Sequence, residues 1–290
     1  MKYKAILEFK ASAILGEGPV WDDALGKLYW IDIKKHQVYR YDPVTSKSET
    51  WQLDQMVGCV IPASNKSIVC ALQDRLIELD TTSGETKYFA SIEKDLTENR
   101  SNDGKADAAG RLWIGTLNIP GGNGKAALYS IDKNGAVLKQ VDKIGMSNGL
   151  GWSPDNTKMY LVDTTERHVM QFDFSLPEGS LTNKRIILKF NEADGSPDGM
   201  CVDGEGMLWI AFYGAKRVGR YNPTNGQLIG EVEVPAENVT CCTFGGADMD
   251  ILFITTASEG VKEEGFKAYP DTGSLFSVKT GIKGLKGYKF

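Results

Sequence analysis

Histidine is nearly absent from this sequence. The 290 residues include two histidines, His36 and His168, and each lies at the start of a short strand pattern, away from the polar positions described below. Without a histidine at those positions, a Ser-His-Asp or Cys-His nucleophile would have no base there, and the sequence has no HExxH zinc motif. Any hydrolysis would therefore have to use a metal ion and carboxylates.

Long apolar runs, clusters of like charge and CxxC pairs are also missing. Glu8 and Lys10 interrupt the N-terminal segment before it could form a signal-peptide core, and no run approaches the length of a membrane span. The formal net charge is −5 and the basic residues are scattered, which argues against nucleic-acid binding. The five cysteines are odd in number and lie in apolar strand patterns, which indicates buried thiols in a reducing compartment. We expect a cytoplasmic protein with neither a nucleic-acid nor a membrane partner.

What the sequence does contain is an internal repeat. Six similar segments begin at residues 17, 57, 102, 148, 198 and 240. Each leads into a pair of short strand patterns, such as GKLYWIDI followed by QVYRYDP, and no segment keeps a helical period. Repeats of about 40 to 50 residues are typical of solenoids and propellers, and closing the repeats into a ring removes exposed strand edges. We therefore predict an all-β fold, a six-bladed β-propeller that forms a single domain over residues 1–290.

The segment at residues 2–10 precedes the first repeat and has the pattern of an additional strand. It could pair with the last blade, near residues 274–279, and so close the ring. A free strand edge at this point would invite association with other chains.

Four of the six repeats begin with a residue that carries a carboxylate or a carboxamide: Glu17, Asn102, Asn148 and Asp198. Equivalent positions in a ring of repeats converge on its axis, so we expect these side chains to meet at one mouth of the channel. Glu17, Asn148 and Asp198 offer only oxygen ligands, which suit Ca²⁺ best, with Mg²⁺, Mn²⁺ and Zn²⁺ also possible. The alternative is that Asn102, Asn148 and Asp198 only cap turns, because a glycine follows Asn148 and Asp198 and an Asp-Gly pair follows Asn102. Glu17 is a poor turn former, and a glycine would also allow close backbone packing at a crowded mouth, so the set favours a metal site.

Arg100 lies two residues before Asn102 and so on the same face of an extended segment. It could bind a substrate oxygen or stabilise developing negative charge. It could equally be a surface arginine that pairs with Glu98 or Asp103. Asp103 itself is expected to brace the turn.

Five segments, taken in order, resemble one protein family: LGEGPVWD, NDGKADAAGRLWIGT, SNGLGWSPDNTKMYLVDT, SPDGMCVDGEGMLWIA and CCTFGGADMDILFITTA. Together they span nearly the whole chain and are similar to the SMP-30/gluconolactonase family. The resemblance implies a six-bladed propeller that holds one divalent cation in its channel and hydrolyses lactones. It implies that Glu17, Asn148 and Asp198 bind the cation. It also implies that Arg100 and Asn102 contact the substrate.

The segment after Thr116 departs from the family pattern. Relatives resembling regucalcin carry an acidic residue there that helps to hold sugar hydroxyls, whereas this sequence has Asn118, Ile119 and Pro120. Asn118 could supply a weaker substrate contact, and a less polar lactone would be compatible with the change.

These observations predict a divalent-metal-dependent lactonase that acts on a small, sugar-type lactone. The cation would polarise the lactone carbonyl and acidify a water molecule, with Asp198 assisting proton transfer. Two alternatives stay open: a non-catalytic calcium-binding or scaffold propeller, and a related metal-dependent esterase or phosphotriesterase-like hydrolase. The oligomeric state is also open.

Overall fold

A computed structural model describes residues 1–64 and 66–290, and most of the regular structure in it is β-sheet. The chain begins with β1 (Lys2–Lys4) and β2 (Ile6–Phe9). Blade one consists of β3 (Gly16–Asp22), β4 (Lys27–Asp32), β5 (Gln37–Asp42) and β6 (Lys47–Gln52). Blade two consists of β7 (Val57–Pro62), β8 (Ser67–Leu72), β9 (Arg75–Asp80) and β10 (Thr86–Ser91). Blade three consists of β11 (Asn99–Ala106), β12 (Leu112–Asn118), β13 (Ala126–Ile131) and β14 (Val137–Ile144).

The second half of the chain repeats this arrangement. Blade four consists of β15 (Ser147–Trp152), β16 (Lys158–Asp163), β17 (His168–Ser175) and β18 (Ser180–Lys189). Blade five consists of β19 (Ser196–Val202), β20 (Leu208–Tyr213), β21 (Arg217–Tyr221) and β22 (Leu228–Glu233). Blade six consists of β23 (Asn238–Gly245), β24 (Ile251–Ala257) and β25 (Leu275–Lys279). A 3₁₀ turn (Glu192–Asp194) and α1 (Glu263–Ala268) are the helical segments of the described residues, and neither has the length that a membrane crossing needs.

The six sheets form a closed ring, which confirms the predicted six-bladed propeller. Within each blade the consecutive strands pair antiparallel, and the first strand of each blade contacts the first strands of its two neighbours. The first strands therefore line the channel. Apolar side chains from adjacent blades pack against each other and form the hydrophobic clusters of the molecule, with Trp30, Trp113 and Trp209 among the largest fully buried side chains.

Each innermost strand contains a β-bulge near its beginning. The register against the second strand shifts within all six blades: between Glu17 and Val20, Val57 and Cys59, Ser101 and Gly104, Ser147 and Leu150, Pro197 and Met200, and Val239 and Cys241. A bulge inserts an extra residue and redirects side chains at that point. The bulges coincide with the repeated positions that carry the polar residues, so the backbone irregularity lies where the candidate site is.

The N-terminal segment closes the ring, as predicted. β2 pairs antiparallel with β25, with Ile6 opposite Ser277 and Leu7 opposite Phe276, and so supplies the fourth strand of blade six. β1 was not predicted separately: it pairs in parallel with β22 and adds a fifth strand to blade five. The first residues of the chain therefore join two neighbouring blades.

The last residues of the chain cross the channel mouth at the far ends of the innermost strands. Gly284 donates its backbone N–H to the carbonyl oxygen of Met249 at 2.7 Å, and Phe290 donates to the carbonyl oxygen of Pro62 at 3.0 Å. Lys289 forms an ion pair with Asp22 at 2.8 Å. The opposite mouth, where the innermost strands begin, carries the candidate site.

Candidate metal centre

The structure brings the three predicted metal ligands together at one mouth of the channel. Glu17 lies near the start of β3, Asn148 near the start of β15 and Asp198 near the start of β19, and all three line the same cavity. Arg100 and Asn102, both from β11, line that cavity as well. All five side chains are more than nine-tenths buried. Residues separated by up to 181 positions in sequence thus share one site, as rotational pseudosymmetry predicts.

The amide of Asn148 has a fixed orientation that leaves its oxygen free. Its Nδ2 donates to Oγ1 of Thr164 at 3.0 Å, and that hydroxyl in turn donates to the carbonyl oxygen of Pro197 at 2.7 Å. The Oδ1 atom of Asn148 is buried and accepts no hydrogen bond from the described residues. A buried acceptor without a donor costs free energy unless another group, such as a cation, satisfies it. The residues present therefore fit a metal ion.

The two carboxyl groups of the site lie in an environment that disfavours their negative charge. Burial raises the pKa of Glu17 well above its usual value, and the nearby Asp198 and Asp103 raise it further. The backbone N–H of Gly18, 2.9 Å from Oε2, opposes this effect only in part. Burial also raises the pKa of Asp198, followed by the charge of Asp103. A cation between such groups would reverse the shifts.

Glycines after the polar residues allow the strands to approach closely. A methyl group at Gly149 would collide with the backbone nitrogen of Met200, and one at Gly199 would collide with the side chain of Cys241. Gly18 has φ = 52°, a left-handed conformation that favours glycine. The crowding expected from the sequence is therefore present after Asn148 and Asp198, whereas Gly18 is favoured by its backbone conformation.

Arg100 lies inside the channel mouth, so its alternative interpretation as a surface residue is wrong. Its Nη1 donates to the carbonyl oxygen of Ser101 and to Oδ1 of Asn102, both at 2.8 Å, while Glu98 pairs with Lys125 instead at 3.6 Å. Burial lowers the pKa of Arg100 to about 10, although the nearby carboxylates oppose this shift. The guanidinium stays charged at neutral pH. Its other N–H groups make no hydrogen bond within the described residues.

Asn102 uses its amide to connect blades three and four. Its Oδ1 accepts the hydrogen bond from Arg100, and its Nδ2 donates to the carbonyl oxygen of Ser147 at 2.9 Å. These two bonds hold the guanidinium of Arg100 in place. Asn102 thus orients Arg100, in addition to the direct substrate contact that the family resemblance implies.

Asn118, predicted to contact the substrate, does not line the cavity. Its Nδ2 donates to Oδ1 of Asn99 at 2.9 Å, and its Oδ1 accepts from the backbone N–H of Gly122 at 2.9 Å. These bonds favour a role in bracing the loop after β12. The predicted substrate contact stays a prediction.

Asp103 does not brace a turn, contrary to the sequence-based expectation. Its carboxylate accepts no hydrogen bond from the described residues, and it faces the channel rather than its own loop. Burial raises its pKa to about 6, while Lys105 and Arg100 oppose the shift. Asp103 directly follows Asn102, the first position of its repeat, so the sequence did indicate a residue near the site. The β-bulge between Ser101 and Gly104, which changes the direction of its side chain, could not be inferred from spacing alone.

Three residues from outside the repeated positions also line the cavity and were not predicted. Thr164 and Tyr213, at the ends of second strands, line the cavity, and so does Glu259, which follows β24. The carboxylate of Glu259 is 3.0 Å from Nζ of Lys34, and its backbone oxygen accepts the hydroxyl hydrogen of Tyr213 at 2.9 Å. Tyr213 ends β20, and Thr164 and Glu259 lie in the loops that follow β16 and β24, so an alignment of innermost strands does not detect them.

The histidines and cysteines lie largely as expected. His36 is in the turn before β5 and His168 begins β17, and neither lines the cavity. All five cysteines are free and buried. Cys241 differs from the others because its sulfur lies close to the carboxyl groups of Glu17 and Asp103.

Fold and site together define a six-bladed β-propeller with an acidic, oxygen-rich pocket at one channel mouth. Residues 15–258 match the family described as the SMP-30/Gluconolactonase/LRE-like region. The chain belongs to this family, as the sequence motifs predicted.

Named relatives of this chain cover nearly its whole length. It is 35% identical over 279 residues to regucalcin of Danio rerio, a match that covers 95% of this chain and 94% of the relative. It is 33% identical over 287 residues to YvrE of Bacillus subtilis, provisionally named a sugar lactone lactonase, with 99% and 98% coverage. Among solved structures, a calcium-binding protein, regucalcin, from Agrobacterium tumefaciens superposes with a TM-score of 0.95 at 30% identity, covering 100% of this chain and 98% of the other.

Proposed function

We propose that this protein is a divalent-cation-dependent lactonase that opens a small lactone by the attack of water. The observation that carries the proposal is the buried, unpartnered Oδ1 of Asn148 in the same cavity as the carboxyl groups of Glu17 and Asp198. Lactonase activity is supported by the names of relatives such as YvrE.

Glu17, Asn148 and Asp198 would hold the cation. Their three oxygen ligands favour Ca²⁺, and the Agrobacterium relative is described as calcium-binding. Zn²⁺, Mg²⁺ and Mn²⁺ also accept oxygen ligands, so the metal test below includes them. When bound, the cation supplies a Lewis acid at the channel mouth.

Asp198 is the group best placed to move a proton. Its carboxylate would accept a proton from the water that attacks the carbonyl carbon, and the ring C–O bond would then break with the proton passing to the leaving alkoxide oxygen. The product is a hydroxy acid, whose carboxylic acid releases the second proton of the water to solvent and becomes a carboxylate. A carboxamide at this position could not take part in the proton transfer.

Arg100 would orient the substrate. Its guanidinium is held by Asn102 and by the backbone of Ser101, which leaves N–H donors directed at the cavity for lactone oxygens. A fixed guanidinium loses little side-chain entropy on binding and can stabilise charge that develops on oxygen. Arg100 thus binds the substrate, and Asn102 positions Arg100 and could add a contact of its own.

The lining of the cavity favours a lactone that is less polar than a polyhydroxylated sugar lactone. Leu15, Ile33, Leu117 and Met146 contribute apolar surface. The segment after Thr116 supplies no carboxylate to bind sugar hydroxyls, and Glu259, which also lines the cavity, is already paired with Lys34. We propose a small-molecule lactone as the partner, no nucleic-acid or membrane partner, and a cytoplasmic location.

The test is an assay of acid release from a panel of lactones of graded polarity. The protein is first freed of metal with a chelator and then resupplied separately with Ca²⁺, Zn²⁺, Mg²⁺ or Mn²⁺. Restoration of lactone opening by at least one ion supports the proposal, and activity indifferent to metal contradicts it. Tight cation binding without turnover would indicate the non-catalytic propeller, and turnover of aryl esters or phosphotriesters alone would indicate the related hydrolase.

A further inference from the structure

A second set of possible metal ligands lies in the channel next to the proposed centre. A carboxylate oxygen of Glu17, a carboxylate oxygen of Asp103 and the Sγ atom of Cys241 all lie within 4.8 Å of one another. The three residues come from three different blades and are 5%, 6% and 3% exposed. Asp103 and Cys241 each lie one residue beyond the first position of their repeat, and neither lines the cavity that contains Asn148 and Asp198, so we place this set deeper in the channel.

Asp103 provides an independent indication that a ligand belongs there. Its side chain is more than nine-tenths buried, and its carboxylate accepts no hydrogen bond from the described residues. Its strand carries two basic residues, and both bond elsewhere: Lys105 directs Nζ to the carbonyl oxygen of Met200 at 2.7 Å. Arg100 directs Nη1 to the carbonyl oxygen of Ser101 and to Oδ1 of Asn102. A buried carboxylate without a hydrogen-bond donor is costly, and a cation would satisfy it.

The position of the Cys241 sulfur is also tightly determined. A methyl group at Gly199 would collide with it, so the sulfur lies directly against the backbone beside Asp198. The charged groups around it are Asp103, Glu17, Lys105 and Asp198. A thiol that only filled the core would have apolar neighbours, as Cys70 does among the valine and isoleucine side chains of its cluster.

We propose that Cys241, Asp103 and Glu17 form a second cation position that selects a thiophilic divalent ion such as Zn²⁺ or Cd²⁺. Sulfur ligands favour such ions over Ca²⁺, which prefers oxygen. Zn–S and Zn–O bonds of about 2.3 and 2.1 Å place ligand atoms about 3.5 Å apart in a tetrahedral site. The ligand atoms now lie up to 4.8 Å apart. Side-chain rotations that move them by about 1 Å would bring them to the distance that a tetrahedral site needs. The thiol proton is released to solvent when the ion binds.

Because Glu17 belongs to both positions, the two ions compete for it. A thiophilic ion in the deeper position would withdraw Glu17 from the outer centre and so inhibit an enzyme that works with Ca²⁺. This competition rests on the function proposed above, whereas the binding of the thiophilic ion does not. The second position would make the activity of the protein sensitive to the type of divalent ion available.

The experiment follows the ligand-to-metal charge-transfer absorption of a cadmium thiolate. Full-length protein freed of metal is titrated with Cd²⁺, and Zn²⁺ affinity is measured by calorimetry. The variants are Cys241→Ala and, as a matched control, Cys242→Ala, which removes the neighbouring sulfur from the same strand. Asp103→Asn is a second test of the site, and the melting temperature of each variant verifies its fold.

The wild type and Cys242→Ala are expected to bind one Cd²⁺ with the thiolate band, and Cys241→Ala is expected to lack the band. Its Zn²⁺ affinity should fall at least about 10-fold, since even supporting residues of metal sites contribute that much. Asp103→Asn should weaken Zn²⁺ binding in the same direction. A band that persists in Cys241→Ala, or no band in the wild type, would overturn the proposal.

Competition is tested separately by adding Ca²⁺ to the cadmium-loaded protein. Ca²⁺ should diminish the band, and Zn²⁺ should inhibit the Ca²⁺-loaded wild type but not Cys241→Ala. A band unaffected by saturating Ca²⁺ would overturn the sharing of Glu17. If the protein showed no lactonase activity with any metal, the proposed function would fail while the band would still decide the second position.

Discussion

At the scale of single residues, the roles of Asp198 and of Asn148 are separable by substitution. Both line the cavity and both offer an oxygen, but only the carboxylate of Asp198 can accept a proton. Asn148, in turn, depends on Thr164 for the orientation of its amide. These differences lead to two predictions.

Asp198→Asn is expected to leave the fold intact and to reduce kcat about 100-fold or more, because general-base contributions are commonly of that size. The carboxamide still offers an oxygen ligand, so cation binding should weaken but persist. Kinetics and calorimetry on the purified variant measure both effects. Asp194→Asn, at a half-exposed carboxylate in the 3₁₀ turn, is the matched control and should keep the wild-type rate. An unchanged rate in Asp198→Asn would assign the base elsewhere.

Thr164→Val is expected to lower the affinity for the cation about 10- to 100-fold, the usual loss when a group that orients a metal ligand is removed. The valine cannot accept from Nδ2 of Asn148, so the amide loses its fixed orientation. Thr165→Val changes the neighbouring exposed threonine and should have no such effect. Equal cation affinity in both variants, measured by calorimetry, would show that Asn148 does not depend on this hydrogen bond.

The raised pKa values predict how pH affects the metal-free protein. The pKa of Asp103 in the folded state is about 6, above the value of about 4 in an unfolded chain, and those of Glu17 and Asp198 are raised as well. At pH values between the unfolded and the folded pKa, the folded state binds more protons than the unfolded state. The free energy of unfolding therefore falls as pH rises through this range. Thermal unfolding from pH 4.5 to about 8 should therefore show a decreasing melting temperature without metal. Added Ca²⁺ should reduce this decrease, and an identical pH profile with and without Ca²⁺ would contradict the assignment.

At the scale of elements, the innermost strands show how far the sequence could predict the site. Repeated positions identified Glu17, Asn148 and Asp198 because each blade uses the same strand to line the channel. The β-bulges were not predictable from spacing, since all six repeats contain one and the loops already vary the repeat length by more than one residue. For that reason Asp103 and Cys241, which the bulged strands turn towards the channel, were assigned to a turn and to the core.

The N-terminal strands provide a test at the same scale. Deleting residues 2–9 removes the pairing of β2 with β25 and exposes the edge of blade six, whereas deleting residues 2–4 removes only β1. The longer deletion is expected to lower the melting temperature by at least about 5 °C, and the shorter one by less, because about 1 kcal/mol corresponds to a few degrees in a chain of this size. Equal melting temperatures for the longer deletion and the wild type would show that β2 does not stabilise the ring.

At the scale of the whole molecule, the candidate site depends on the closure of the ring, because its residues come from different blades. The first strands contact one another around the channel, β2 completes blade six, and the last residues cross the opposite mouth. We propose that residues 1–290 fold as one domain, because no blade can bury its apolar faces without both neighbours. The sequence was sufficient to predict this architecture from six repeats. It could not predict that Thr164, Tyr213 and Glu259 line the cavity, since they lie outside the repeated positions.

The central claim is that side chains from three blades hold one cation at the channel mouth. A crystal structure of the protein grown with Ca²⁺ tests it most directly, with the ion identified by its anomalous scattering. If the proposed site is correct, the ion will lie about 2.3 to 2.6 Å from oxygens of Glu17, Asn148 and Asp198. An ion bound elsewhere, or no ion at these three residues at saturating Ca²⁺, would contradict it.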